Sequence, residues 1–100
     1  MIRNTLTGKQ RRFLRAMGVN LEPVVNIGKE GITPMVTDSA KEAIAKRELI
    51  KVRVLQNAPE IPDEAIRKLT ERVDADLVQI IGRNGLLFKR NFDKPKIELP

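Results

Sequence analysis

The stretch Val24-Val25-Asn26-Ile27-Gly28-Lys29-Glu30-Gly31-Ile32-Thr33-Pro34 constrains the fold more than any other part of the chain. A short run rich in β-branched residues predicts a buried strand that ends at Ile27. Thr33 is an N-cap candidate, and Pro34 falls at the first helical position, where its missing N–H costs nothing. Between them, Gly28-Lys29-Glu30-Gly31 is a loop with little side-chain bulk. Its backbone is free to approach another backbone closely, and φ > 0 is open at both glycines. A loop of this kind ahead of a helix offers unpaired N–H groups and a positive dipole end to an anion. Lys29 adds a full charge, and Glu30 weakens it. A plain strand-to-helix turn needs the same residues, so the loop by itself leaves both readings open.

The remaining elements follow from pattern. Thr7 and Gln10 have capping-box spacing and predict a helix that runs to about Met17 and stops at Gly18. On its wheel Phe13, Leu14 and Met17 form an apolar stripe, read as core. Arg11, Arg12 and Arg15 lie roughly opposite, with Lys9 to one side. No acid precedes Glu22, so this arginine face is unmixed and reads as a phosphate-contacting surface. A second helix is expected from Pro34 to Arg47, burying Met35, Val36, Ala40, Ala43 and Ile44. Leu49 to Leu55 alternates, with Ile50, Val52 and Val54 toward the helices and Lys51 and Arg53 on the other face. A third helix, about Asp63 to Val73, buries Ile66, Leu69 and Val73 under a mixed-charge outer face. Leu77–Ile81 and Leu86–Arg90 read as strands joined at Gly82-Arg83-Asn84-Gly85, where Asn-Gly is a tight-turn signal. Arg83, Lys89 and Arg90 look like a further basic cluster. Asn91 to Pro100 is an extended tail.

The predicted fold class is α/β (α+β): one two-layer domain over residues 1–100, ordered α-β-α-β-α-β-β, with a four-stranded mixed sheet packed by helices. Right-handed crossovers place the second and third helices on one face. The other face is expected to be partly open, with Lys51 and Arg53 on it.

Charge decides how this surface is read. The chain carries 19 Lys and Arg against 13 Asp and Glu, a net charge of +6. Residues 1–58 hold eleven basic and five acidic side chains, residues 59–76 three and six, and residues 77–100 five and two. Acid is gathered in one segment, and a dipolar surface with a basic face implies a polyanionic partner. There is no cysteine and no histidine. Disulfides, thiolate metal sites and the commonest general base are therefore excluded, and a reducing cytoplasm is the expected location. No run has membrane-spanning length, no apolar leader core is present, and no metal or cofactor is implied. With three Phe and no Tyr or Trp, base stacking has few candidates.

A family resemblance covers nearly the whole chain. It is carried by Leu6-Thr7-Gly8-Lys9-Gln10-Arg11-Arg12-Phe13-Leu14-Arg15, by Val25 to Thr33, and by Leu49-Ile50-Lys51-Val52-Arg53-Val54. Leu77 to Arg83 and Pro95 to Pro100 fit as well. Together they resemble a CRM domain in its stand-alone bacterial form, the YhbY family. The resemblance implies an RNA-binding protein associated with precursors of the large ribosomal subunit. It also implies a fold like the C-terminal domain of translation initiation factor three. Gly28, Lys29, Glu30 and Gly31 match the family's GxxG loop, its RNA contact; Lys9, Arg11, Arg12 and Arg15 match its basic first helix. With Lys51, Arg53 and Arg83 these make the candidate RNA-binding set, in a chain expected to be a monomer with no membrane partner and no catalytic role. A DNA-binding module, a phosphate-metabolite enzyme and a module for an acidic protein partner remain the alternatives.

Overall fold

The computed structural model describes residues 2–100. Three helices, α1 (Gly8–Gly18), α2 (Pro34–Arg47) and α3 (Pro62–Arg72), alternate with strands β1 (Pro23–Ile27), β2 (Leu49–Val54), β3 (Asp76–Ile81) and β4 (Asn84–Phe88) in the expected order. The sheet runs β1-β2-β4-β3. β1 and β2 are parallel, and β4 is antiparallel to both of its neighbours. Among the described residues no helix is long and apolar enough to cross a membrane.

The helix starts are set by the residues that flag them. Thr7 closes a full capping box with Gln10, and the Thr33 hydroxyl accepts the Val36 N–H at 3.1 Å, with Pro34 opening α2. The sheet's two faces then divide the core. Ile50, Val52 and Val54 of β2 join Val25, Ile27 and Leu87 under α2 and α3, which contribute Ala40, Ile44, Ala65, Ile66 and Leu69. The two crossover helices therefore share one face, making the expected helix-on-sheet body. On the opposite face Leu14 of α1 packs with Leu49, Val78, Leu86 and Phe88, and the C-terminal tail adds Ile97. This second cluster covers only part of that face.

Several local readings are corrected. Phe13 is 39% exposed and Met17 41%, so Leu14 alone of the α1 stripe is fully buried. The buried positions of the 11-residue α1 are Leu14 and Gly18, which meet the sheet, and Phe13 and Met17 stay open to solvent beside them. Met35, in the first turn of α2, is 78% exposed and takes no part in the core. The β3–β4 turn is Gly82-Arg83, with Ile81 paired to Asn84. Gly82 takes φ +57° at the first turn position, where a two-residue hairpin loop asks for glycine. Gly85 serves a different purpose: a Cβ there would lie 2.5 Å from Ile66 Cγ2, so its hydrogen lets α3 settle on β4. Asn84 consequently belongs to the strand. Lys89 and Arg90 do not extend a basic cluster with Arg83. They lie past the opposite end of β4, where Lys89 Nζ donates to Val73 O and Arg90 Nη1 to Ile97 O.

The tail is held by one buried carboxylate. Glu48, at the end of α2, adopts φ 65° and is fully buried. Its side chain accepts backbone N–H groups from Asn91 (2.7 Å), Lys96 (2.6 Å) and Ile97 (2.8 Å), and Arg90 stands 3.5 Å away. Burial alone would raise a carboxyl pKa; the three N–H donors and the Arg90 charge outweigh it and hold Glu48 below the usual range. A non-glycine residue with positive φ costs about 1–3 kcal/mol, which charge-assisted hydrogen bonds of this number offset.

Glu48→Gln is expected to destabilise the fold by about 2–4 kcal/mol near neutral pH, since one charged acceptor serves three donors. Folding lowers the Glu48 pKa, so its contribution is complete above the ordinary value of 4.5 and fades as the pH falls through the folded-state value. Urea melts of both proteins should therefore converge as the pH drops below about 4.5; a gap that persists unchanged at pH 3 contradicts this account.

Candidate nucleic-acid interface

The C-terminal ends of β1 and β2 point the same way, and the β3–β4 turn lies at that end too. Three connections therefore meet there: Gly28–Gly31, the loop 55–61, and Gly82-Arg83. They are stitched together by backbone. Leu55 N donates to Ile27 O at 2.9 Å, and Val54 N donates to Arg83 O at 2.8 Å. Arg83 Nη1 returns a long bond, 3.4 Å, to Val54 O.

The glycine loop is a tight turn closed by Gly31 N donating to Gly28 O at 2.9 Å. Positive φ is used at Gly31 alone (+72°). A Cβ on Gly31 would also press on Pro59 Cγ at 3.2 Å, whereas one on Gly28 would make ordinary contact with Leu55 and Asn57. Lys29 and Glu30 are exposed at the tip. The loop delivers its chain to the α2 N-terminus, so the helix dipole and the Lys29 charge face the same solvent.

The basic helix divides. Lys9 and Arg12 are exposed. Arg11 is half-buried and committed to the fold, with Nη1 donating to Leu77 O and Nη2 to Asn4 Oδ1 at 3.3 Å. It braces α1 against the start of β3, so the solvent-facing role expected for it is corrected. Arg15 is also half-buried, turned toward the sheet. On β2, Arg53 is exposed and Lys51 half-buried, both on the face opposite α2 and α3, as alternation predicts. Among the described residues none of Lys9, Arg12, Arg15, Lys29, Lys51 and Arg53 forms an ion pair. The outer face of α3 is neutralised instead, by Arg67–Asp63 (2.8 Å) and Lys68–Glu60 (2.7 Å).

Beside the last turn of α1 the uncovered part of the sheet forms a cleft of about 240 Å³. Arg15, Gly18 and Val19 line one side, and Lys51, Gln79, Ile81, Asn84, Gly85 and Leu86 the other. Helix and sheet meet closely here because residue 18 is glycine: a Cβ would fall 2.3 Å from Leu86 Cδ1. A register shift between Leu77 and Gln79 supplies the rest. Val78 is the extra residue, and the bulge turns Gln79 and Ile81 onto the same face as Leu86 and Asn84, their register partners. Asn84 Oδ1 is buried in this wall without a hydrogen-bond partner, a condition that costs about 1–3 kcal/mol. Sequence reading missed Gln79, Asn84 and the cleft. The bulge leaves no mark in composition, and Asn-Gly pointed to a turn.

The family model of the CRS1 / YhbY (CRM) domain matches residues 6–89. The chain belongs to the CRM domain family. Its relatives include the "Probable RNA-binding protein YqeI" of Bacillus subtilis, 41% identical over 95% of this chain and 99% of that protein. An "RNA-binding protein" of Haemophilus influenzae is 34% identical, covering 96% of each. The solution structure of the hypothetical protein SAV1595 from Staphylococcus aureus superposes with a TM-score of 0.79 at 38% identity, over 96% of this chain and all of that one. In this CRM domain, then, the Gly28–Gly31 loop stands at the end of the sheet where β1 and β2 finish, and the last turn of α1 borders the open sheet face, while the first turns of α1 lie toward the start of β3.

Two glycines of one loop should respond differently. Gly31→Ala is expected to lower stability by about 1–2 kcal/mol, from positive φ and the Pro59 contact, and Gly28→Ala to change it by less than about 0.5 kcal/mol. Arg11→Glu should lower the thermal midpoint, because it breaks the brace to Leu77, while Arg12→Glu should leave it within error. Thermal denaturation followed by circular dichroism checks all four, and equal midpoints for the members of either pair contradict the assignment.

Proposed function

We propose that this CRM domain is an RNA-binding protein that grips RNA backbone with the Gly28–Gly31 loop and the unpaired cations around it, and that it acts on precursors of the large ribosomal subunit in the cytoplasm. The observation that carries the reading is the placement of charge. Among the described residues Lys9, Arg12, Arg15, Lys29, Lys51 and Arg53 are without ion pairs at the loop end and along α1 and the open sheet face, while Arg67 and Lys68 of α3 are paired with carboxylates and Arg72 is held by Ile32 O. Lys41 and Arg47 of α2 and Lys94 and Lys96 of the tail also lack an ion pair and lie outside that surface. Names of relatives at up to 41% identity support RNA as the partner, and the family resemblance supports the ribosomal target.

In this reading Lys9, Arg12, Arg15, Lys29, Lys51, Arg53 and Arg83 meet phosphates, and the N–H groups leading into α2 add a neutral anion contact. Glu30 sits at the loop tip and keeps the local potential moderate. Gly28 supplies close backbone approach, and Gly31 shapes the turn. Arg11 leaves the contact set and acts through the position of α1. Phosphate contacts position the protein without reading sequence, so backbone and shape dominate recognition. The reading is one of binding rather than catalysis: no His or Cys is present, and among the charged side chains at the loop end without an ion pair Lys29, Arg53 and Arg83 outnumber Glu30.

Six or seven phosphate contacts give a slope of log K against log salt of about −4 to −6. Arg12→Glu with Arg53→Glu should weaken binding to ribosomal RNA fragments about 10- to 100-fold at moderate salt and make the slope shallower by about 2. Fluorescence anisotropy over a salt series reads both quantities. A flat salt response, or tighter binding to matched DNA hairpins, sinks the reading. Sucrose-gradient sedimentation of lysate tests the ribosomal target separately: the protein should travel with large-subunit precursors and leave them after RNase treatment.

A further inference from the structure

The cleft beside α1 has a chemistry that backbone gripping does not use. It holds about 240 Å³, below the range of roughly 300–1,000 Å³ typical of sites for drug-sized ligands, which is a scale suited to one flat heterocycle. Its rims are apolar and open: Val19 is 74% exposed and Ile81 63%, while buried Leu86 forms the floor. Its polar groups are two amides, Gln79 and Asn84, set into the sheet wall. Asn84 Oδ1 is the one buried side-chain polar atom without a partner among the described residues, and an acceptor in that state calls for an N–H donor. Arg15 and Lys51 stand at the same cleft and pair with no carboxylate.

We propose that this cleft is a subsite for a single unstacked nucleotide of the bound RNA. Its base lies between Val19 and Ile81 with an amino-bearing edge toward Asn84 and Gln79, and its phosphate meets Arg15 and Lys51. The inference rests on the RNA-binding reading and adds base selection to it. Amide side chains pair with the N6 and N7 edge of adenine, matching donor to acceptor at both positions. Uracil has a single N–H donor, N3–H, so it serves the oxygen of Asn84 or that of Gln79 but not both, whereas the adenine amino group carries two N–H donors. Aliphatic rims in place of aromatic ones give contact without strong stacking, so selection falls on the hydrogen-bonding edge. The chain's scarcity of aromatic residues is therefore compatible with reading one base.

The test uses the full chain and two fluorescently labelled RNA hexamers, one of adenosines and one of uridines. The adenosine hexamer is expected to bind about tenfold more tightly. Asn84→Leu and Gln79→Leu, made separately, should each bring its affinity down toward that of the uridine hexamer. A measurement on the unaltered protein guards against a variant that misfolds: the Asn84 and Gln79 side-chain amide resonances should shift with adenosine hexamer and stay in place with uridine. Equal affinity for both hexamers, a preference that survives both substitutions, or unmoved amide resonances overturns the subsite. A chain that binds a structured ribosomal RNA hairpin but neither hexamer also overturns it and leaves the RNA-binding reading standing. Failure to bind any RNA at low salt removes both.

Discussion

Everything in this domain depends on the period-two alternation of β2, an interior strand with a parallel neighbour on one side and an antiparallel neighbour on the other. Ile50, Val52 and Val54 bind the sheet to α2 and α3 and cannot turn outward without emptying the larger core. That commitment fixes the opposite side chains. Leu49 falls under α1 and the tail, and Lys51 and Arg53 fall where the cover ends. A basic surface on the sheet thus follows from the same register that builds the core. The parallel pairing of β1 with β2 adds the second constraint. It sends both strands out at one end, so the glycine loop, the loop after β2 and the hairpin turn share an edge.

Glu48 sets the limit of the open face. Its carboxylate fastens residues 91–97 at the opposite end of the sheet, and Ile97 then completes the smaller core with Leu14, Leu49 and Phe88. Cover is therefore concentrated at the start of β2 and β3, and exposure at their ends. Two arginines that look alike in sequence are separated by the same economy of cover. Arg11 points into the covered half and braces Leu77, while Arg12 points to solvent. A basic stripe on a helix is thus partly a structural device and partly a binding surface, and only the packing tells which is which.

Much of this was legible in the sequence because local rules and tertiary packing agree. Thr7 with Gln10 and Thr33 with Pro34 mark helix starts through their own side-chain chemistry, and alternation in Leu49–Leu55 assigns faces without reference to other elements. The glycine loop and the free cations Lys9, Arg12, Lys29 and Arg53 are found for the same reason. What was hidden depends on partners distant in sequence. Met35 and Phe13 sit at helical positions that suit a core, and the packing of their helices leaves both open to solvent. Asn84-Gly85 carries the strongest turn signal in the chain, yet Gly85 is needed beneath Ile66 and the turn moves to Gly82-Arg83. With it moves Asn84, from a turn to the wall of a cleft. Glu48 gives no local hint of its place, since its three donors come from more than forty residues away.

The most direct test of the account is a map of backbone amide shifts in the nuclear magnetic resonance spectrum as a ribosomal RNA fragment is added at low salt. Shifts are predicted to gather on Gly28–Gly31, on Lys9, Arg12 and Arg15 of α1, and on Lys51, Arg53 and Arg83. Asp63, Arg67 and Lys68 of α3 and the tail at Asn91–Ile97 should stay in place. Shifts centred on α3 or on the tail, with the glycine loop unmoved, would show that RNA meets a different face and would contradict the account.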